Sequence, residues 1–229
     1  IDAEFPINTH TSDNQYNPSV TSLNDGGFVV TWMSDNQDGS GWGIYGQRYA
    51  ADGTSSGAEF PINTHTSDNQ YNPSVTSLND GGFVVTWMSD NQDGSGWGIY
   101  GQRYAADGTS SGAEFPINTH TSNSQYNPNV TSLNDGGFVV TWMSDNQDGS
   151  GWGIYGQRYA ADGTSSGAEF PINTHTSDNQ YNPSVTSLND GGFVVTWMSD
   201  NQDGSGWGIY GQRYAADGTS SGAEFPINT

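Results

Sequence analysis

Cysteine is missing from all 229 residues, which removes disulfides, thiolate metal sites and cysteine nucleophiles together. Lysine is missing as well. Four arginines are the only fixed cations, against 25 aspartates and glutamates, for a formal net charge of -21. Such a chain repels phosphate backbones and anionic lipid surfaces, so no nucleic-acid partner is expected. It attracts cations, and the same charge favours solubility. No stretch approaches the roughly 18 apolar residues of a spanning helix, so membrane insertion is not expected, and no segment carries a helical apolar period. No signal-peptide pattern precedes Ile1, which starts in repeat-like sequence, so a mature, excised or engineered chain is expected. Hydrophobic residues are scarce at 31%, yet 13% of the chain is aromatic, and large rings can build a core where aliphatics are few.

What is there is repetition. Units of 55 residues run over 10–64, 65–119, 120–174 and 175–229, and three of them are identical. The third differs only at Asn123, Ser124 and Asn129, where the others carry Asp, Asn and Ser. Residues 1–9 end in Ala-Glu-Phe-Pro-Ile-Asn-Thr, an extra copy of a unit's last segment. Period and near-identity point to a repeat architecture amplified or designed from one unit.

Each unit reads as four strands. Pro18 to Leu23 is followed by Asn24-Asp25-Gly26-Gly27, a hairpin turn of residues that tolerate positive φ. Phe28 to Met33 is β-branched and aromatic. A polar loop, Ser34 to Gly41, leads into Trp42–Tyr49, which places Trp42, Ile44, Gly46 and Arg48 on one face and Tyr45, Gln47 and Tyr49 on the other. Glu59 to Asn63 is a short fourth strand, and Pro61 confines it to a sheet edge. Four strands with bulky residues on both faces describe a propeller blade. The expected fold is all-β, a β-propeller of four blades stacked through Phe28, Trp32, Trp42, Tyr45 and their copies. The alternative is half of an eight-bladed ring completed by a homodimer, and the surplus copy in residues 1–9 bears on how the ring closes.

The segments Asp25–Trp32 and Asp38–Tyr49 resemble tandem repeats of very large secreted bacterial proteins, RTX-type calcium-associated adhesins and hemolysin-like proteins. The resemblance covers the whole unit. It implies an extracellular, non-catalytic repeat module and transfers no active site. The chain also resembles symmetric propellers amplified or designed from a single blade. Gly39-x-x-Trp42 is similar to the Asp-box turn of sialidase-like propellers, with Gln37 where that motif has Asp; there the turn is structural.

Several constellations could carry chemistry. Asn36-x-Asp38-Gly39 matches the end of an Asp-x-Asp/Asn-x-Asp-Gly calcium loop, with the hydroxyl of Ser34 replacing the first carboxylate. The candidate calcium ligands are Ser34, Asn36 and Asp38, and their copies Ser89, Asn91, Asp93, Ser144, Asn146, Asp148, Ser199, Asn201 and Asp203. The competing reading is a connecting loop whose side chains bond their own backbone. Four histidines, His10, His65, His120 and His175, could converge on a ring axis around a transition metal, or sit in loops between blades. Arg48, Arg103, Arg158 and Arg213 are expected to pair with carboxylates or stack on tyrosines. Tyr16, Trp32, Trp42 and Tyr49 raise a glycan-binding reading in which sugars stack on exposed rings. Trp32 suits the core, whereas Trp42, directly after the polar loop, and its copies Trp97, Trp152 and Trp207 are the candidate ligand contacts.

No nucleophile elbow, phosphate loop or His-Glu-x-x-His stretch occurs, and identical copies argue against one asymmetric pair of acid and base. The sequence therefore leads to the expectation of no enzymatic activity. It reads as a non-catalytic structural or binding module, calcium-stabilised and extracellular, with a multivalent carbohydrate-binding propeller as the alternative.

Overall fold

The computed structural model describes residues 4–228. The chain is all-β, four blades of a β-propeller, each a four-stranded antiparallel sheet whose strands follow chain order. The first blade holds β1 (Gln15–Ser22), β2 (Phe28–Asp35), β3 (Trp42–Tyr49) and β4 (Phe60–Pro61). The second holds β5 (Gln70–Ser77), β6 (Phe83–Asp90), β7 (Trp97–Tyr104) and β8 (Phe115–Pro116). The third holds β9 (Gln125–Ser132), β10 (Phe138–Asp145), β11 (Trp152–Tyr159) and β12 (Phe170–Pro171). The fourth holds β13 (Gln180–Ser187), β14 (Phe193–Asp200), β15 (Trp207–Tyr214) and β16 (Phe225–Pro226).

Strand bounds differ from the sequence expectation for physical reasons. β1 begins at Gln15, three residues before Pro18, because a bulge between Tyr16 and Ser19 absorbs the proline. Asn17 there adopts φ 52°, a left-handed conformation that asparagine tolerates. β2 runs on to Asp35, which pairs with Trp42 across the hairpin. β4 shrinks to Phe60 and Pro61, since proline cannot extend a ladder.

The three internal junctions bury the facing sides of neighbouring blades. Between the first two blades, Val29, Met33, Ile44 and Ile62 meet Phe83, Val85, Trp87, Tyr100 and Tyr104, and the next two junctions repeat this set. Each junction also repeats its hydrogen bonds. The amide of Val75 donates to Ser19 Oγ at 3.2 Å and that of Val130 to Ser74 Oγ at 3.2 Å. In the third unit Asn129 takes the serine's part, accepting from the Val185 amide at 2.9 Å. Ser124 likewise replaces asparagine as acceptor for the first amide of β7 in the preceding blade, from Trp97 at 3.4 Å. Two of the three departures from identity thus preserve a contact between blades.

The first strands of all four blades line a central cavity of about 430 Å³. Asn17 Nδ2 donates to Asn72 Oδ1, Asn72 to Asn127 and Asn127 to Asn182, at 2.5, 2.8 and 3.0 Å. The series stops there: Asn182 Nδ2 keeps the contact with a methionine sulfur, Met198 Sδ at 3.7 Å, that Asn72 and Asn127 also make. Among the described residues no counterpart bond joins the fourth blade to the first.

Candidate functional site

The strand register brings the start of β1, the end of β2 and the start of β3 to one end of each blade, where Gln15 faces Ser34 and Asp35 faces Trp42. Tyr16 and Trp42 therefore meet at that end, stacked with ring centres 5.4 Å apart. Trp42 also reaches Tyr71 of the next blade, at 6.0 Å. Repetition turns this pair into a belt: Tyr16, Trp42, Tyr71, Trp97, Tyr126, Trp152, Tyr181 and Trp207 follow one another around the propeller. Neighbouring ring centres lie 5.1 to 6.3 Å apart. These rings remain part-exposed, and Tyr16 and Trp207 at the ends are exposed. Trp87, by contrast, is 0% exposed in the junction between blades. Of the rings singled out in the sequence, Trp42 and Tyr16 belong to the belt. Trp32 and Tyr49 are core, and the Tyr49 hydroxyl donates to the carbonyl of Ile7 at 2.6 Å.

Carboxylates flank the belt. Asp35 and Asp90 both press on the Tyr71 hydroxyl, which burial first, then these charges, hold above the ordinary tyrosine range. Asp90 itself is raised above the usual carboxylate range, by burial first and then by the charge of Asp68. The backbone ties the two together, since the Asp90 amide donates to the Asn69 carbonyl at 2.9 Å. Asp13 and Asp178 recur at the position of Asp68, whereas the third unit has Asn123. Sequence reasoning missed this pair because its members lie on either side of β5 and the following hairpin. The signal was the equal period of Asp68 and Asp90 combined with hairpin pairing that returns β6 to the start of β5.

The expected calcium ligands occupy three different settings. Ser34 is buried within β2, 3.5 Å from Gln15 Nε2. Asn36 adopts φ 54°, and its amide donates to the Gly41 carbonyl at 2.6 Å. Asp38 Oδ1 accepts from the Ser40 amide at 3.0 Å, while Oδ2 faces Gly43, where a Cβ would lie 2.8 Å away. The copies repeat this: Ser89, Ser144 and Ser199 are buried, Asn91, Asn146 and Asn201 have positive φ, and Asp93, Asp148 and Asp203 cap their own turns. Among the described residues no three His, Asp or Glu side chains gather as a cation site. The histidines are absent from the residues lining the central cavity, which is walled by asparagine, proline and serine. His10 lies instead in the connector entering its blade, where its carbonyl accepts from Asn8 Nδ2 at 2.6 Å. The arginines pair with the turn aspartates, Arg48 with Asp25 at 3.2 Å, Arg103 with Asp80 and Arg158 with Asp135 at 3.1 Å, and Arg213 with Asp190.

No protein-family model matches the chain, and no curated protein matches it. Solved structures do. An endo-arabinase from Bacteroides thetaiotaomicron superposes with a TM-score of 0.55 at 13% identity, over 93% of this chain and 81% of that one. The α-L-arabinanase of Penicillium chrysogenum, solved with arabinobiose, gives 0.64 at 15% identity, over 95% and 68%. An α-L-arabinofuranosidase of Fusarium graminearum gives 0.64 at 13%, over 93% and 66%. Identities this low establish the fold alone.

These comparisons correct two expectations, that the chain is a non-catalytic structural module and that it is not an enzyme. The propellers it superposes on are glycoside hydrolases. The argument from identical copies is also incomplete. In the second repeat burial and the charge of Asp68 raise Asp90, and Asn123 removes the counterpart of Asp68 from the third, so the repeats are not equivalent.

Proposed function

We propose that this chain is a carbohydrate-active β-propeller that takes a neutral glycan chain along its Tyr–Trp belt. The observation that carries the reading is the belt's part-exposure: eight rings in series are kept at the surface although the same fold buries Trp87 completely. Aromatic faces stack against the C–H faces of sugars, and the carboxylates and amides beside them bond hydroxyls. A net charge of -21 disfavours uronates and sulfated glycans, which leaves neutral polymers such as the arabinans and xylans. Hydrolysis of a glycosidic bond calls for two carboxyls in unlike environments, one holding a proton for the departing oxygen. In the second repeat Asp90, raised by burial and then by the charge of Asp68, is our candidate proton donor.

The test is a panel of arabinan, arabinoxylan, xylan and β-glucan, with tryptophan fluorescence as the binding readout and release of reducing ends as the activity readout. Quenching by one polymer class, with reducing-end release that Asp90→Asn together with its copies abolishes, supports the proposal. Neither quenching nor release across the panel sinks it.

A further inference from the structure

Among the described residues the exposed large apolar side chains lie on the two outer blades: Tyr16 and Val20 on the first, and Trp207, Ile209, Phe225 and Ile227 on the fourth. Their copies at internal positions are covered. Val20 is 63% exposed, whereas Val75, Val130 and Val185 are each 7% exposed. Ile209 is 38% exposed, whereas Ile44, Ile99 and Ile154 are each 0% exposed. The arginines report the same gap. The side chains of Arg48, Arg103 and Arg158 are 10 to 11% exposed and lie against the glycine turns Gly108, Gly163 and Gly218 of the following blade, while Arg213 is 48% exposed. On the first blade, a cavity of about 250 Å³ opens between Tyr16, Val30 and Trp32.

Each outer face therefore carries the same residues that the internal junctions bury, and the two faces are complementary to each other. We infer that the fourth blade of one copy docks on the first blade of a second copy, reproducing the internal junction between chains. The occupant follows from continuity with three junctions already built in this chain from identical residues. Association of this kind is head-to-tail, and two copies make a ring of eight blades.

Residues 4–9 fit that junction. Phe5 packs on Tyr49 at 5.7 Å and 58°, as Phe60 packs on Tyr104 at 5.6 Å and 58°. Thr9 donates to Glu59 through its amide at 2.6 Å, as Thr64 donates to Glu114 at 2.6 Å. The prefix already holds the place of a preceding blade's last strand, and it runs on covalently into β1 as residues 60–64 run on into β5. In the junction it stands as the fourth strand of the docking blade, in place of that copy's own Phe225–Pro226.

The experiment uses the full chain and two variants, Val20→Asp and Ile209→Asp, with mass read by light scattering and folding by circular dichroism. Both side chains are exposed in the single chain, so each variant is expected to fold. The unaltered chain is expected at twice the single-chain mass, and each variant alone at the single-chain mass. An equimolar mixture of the two variants retains one intact junction, between the fourth blade of the Val20→Asp copy and the first blade of the Ile209→Asp copy, and is expected to recover the doubled mass. An unaltered chain that stays monomeric at high micromolar concentration overturns the inference. So does a dimer that both variants leave intact, or a mixture that stays monomeric.

Discussion

The ring of Tyr71 lies 5.1 Å from that of Trp97 with 22° between their planes, so two residues from different strands of one blade present a single stacked surface. Trp42 of the preceding blade adds a third ring at 6.0 Å. A glycan lying across this surface loses a platform if one ring is removed. Trp97→Ala is expected to weaken binding of a matching oligosaccharide about tenfold, which is about 1.4 kcal/mol. Calorimetric titration checks this, with the melting temperature as control. An unchanged affinity would show that the belt is not the binding surface.

The turn before β6 makes a different demand. Gly82 approaches the next hairpin so closely that a Cβ would lie 2.2 Å from the carbonyl oxygen of Tyr104. Backbone must move to admit even a methyl group, and the Asp80 carboxylate that caps the Gly82 amide at 2.9 Å must move with it. Gly82→Ala is expected to lower stability by roughly 3 kcal/mol, read from the midpoint of urea unfolding. A shift no larger than that of an ordinary surface alanine would refute the close approach.

Glu114 clamps adjacent blades. Its carboxylate accepts from the Thr64 amide at 2.6 Å, the Thr64 hydroxyl at 3.0 Å and Gln92 Nε2 at 2.5 Å. Glu114→Ala leaves three donors without their acceptor and is expected to cost about 1.5 kcal/mol. Glu114→Gln keeps one acceptor oxygen and is expected to cost less. Chemical denaturation of the two variants separates them, and equal losses would mean that the carboxylate holds no amide.

These residues also show how far the sequence could be read. The period, the Asn24-Asp25-Gly26-Gly27 turn and the edge position of Pro61 are local signals, and they give the four-stranded blade directly. Trp32 was assignable to the core because it lies inside a β-branched run. The belt was half legible. Trp42 stands out after a polar loop, but its stacking on Tyr71 depends on how one blade sits against the next, which no single unit encodes. The loop from Ser34 to Gly41 was legible only as residue types, for a related reason. Its residue types suit a cation, yet pairing carries Ser34 into a buried strand position and turns Asp38 Oδ2 toward Gly43. Catalysis was discounted from symmetry within the list of residues, whereas the burial that raises Asp90 beside Asp68 arises only in the fold.

Alkaline pH gives the last test, because burial acts on several tyrosines at once. Tyr45, Tyr100 and Tyr155 are pushed from 10.0 up to about 12, by burial first and then by the nearby aspartates Asp38, Asp93 and Asp148 and the glutamates Glu59, Glu114 and Glu169. Tyr104, Tyr159 and Tyr214 are raised too, by burial first and then by a glutamate. A phenol whose folded value lies above its unfolded value favours the folded state in full below about pH 10, and loses that contribution as pH rises through the folded value. Between those limits the unfolded chain ionises these tyrosines and the folded chain does not, so stability must fall with pH. Melting temperature is therefore expected to hold up to about pH 10 and then drop steeply, with the tyrosinate absorbance of these six buried hydroxyls growing only as the protein unfolds. Asp93→Asn removes one of the charges that oppose ionisation of Tyr100 and is expected to soften the drop. Tyrosinate absorbance that develops fully near pH 10 while the fold persists would mean that these hydroxyls are not buried as the structure places them.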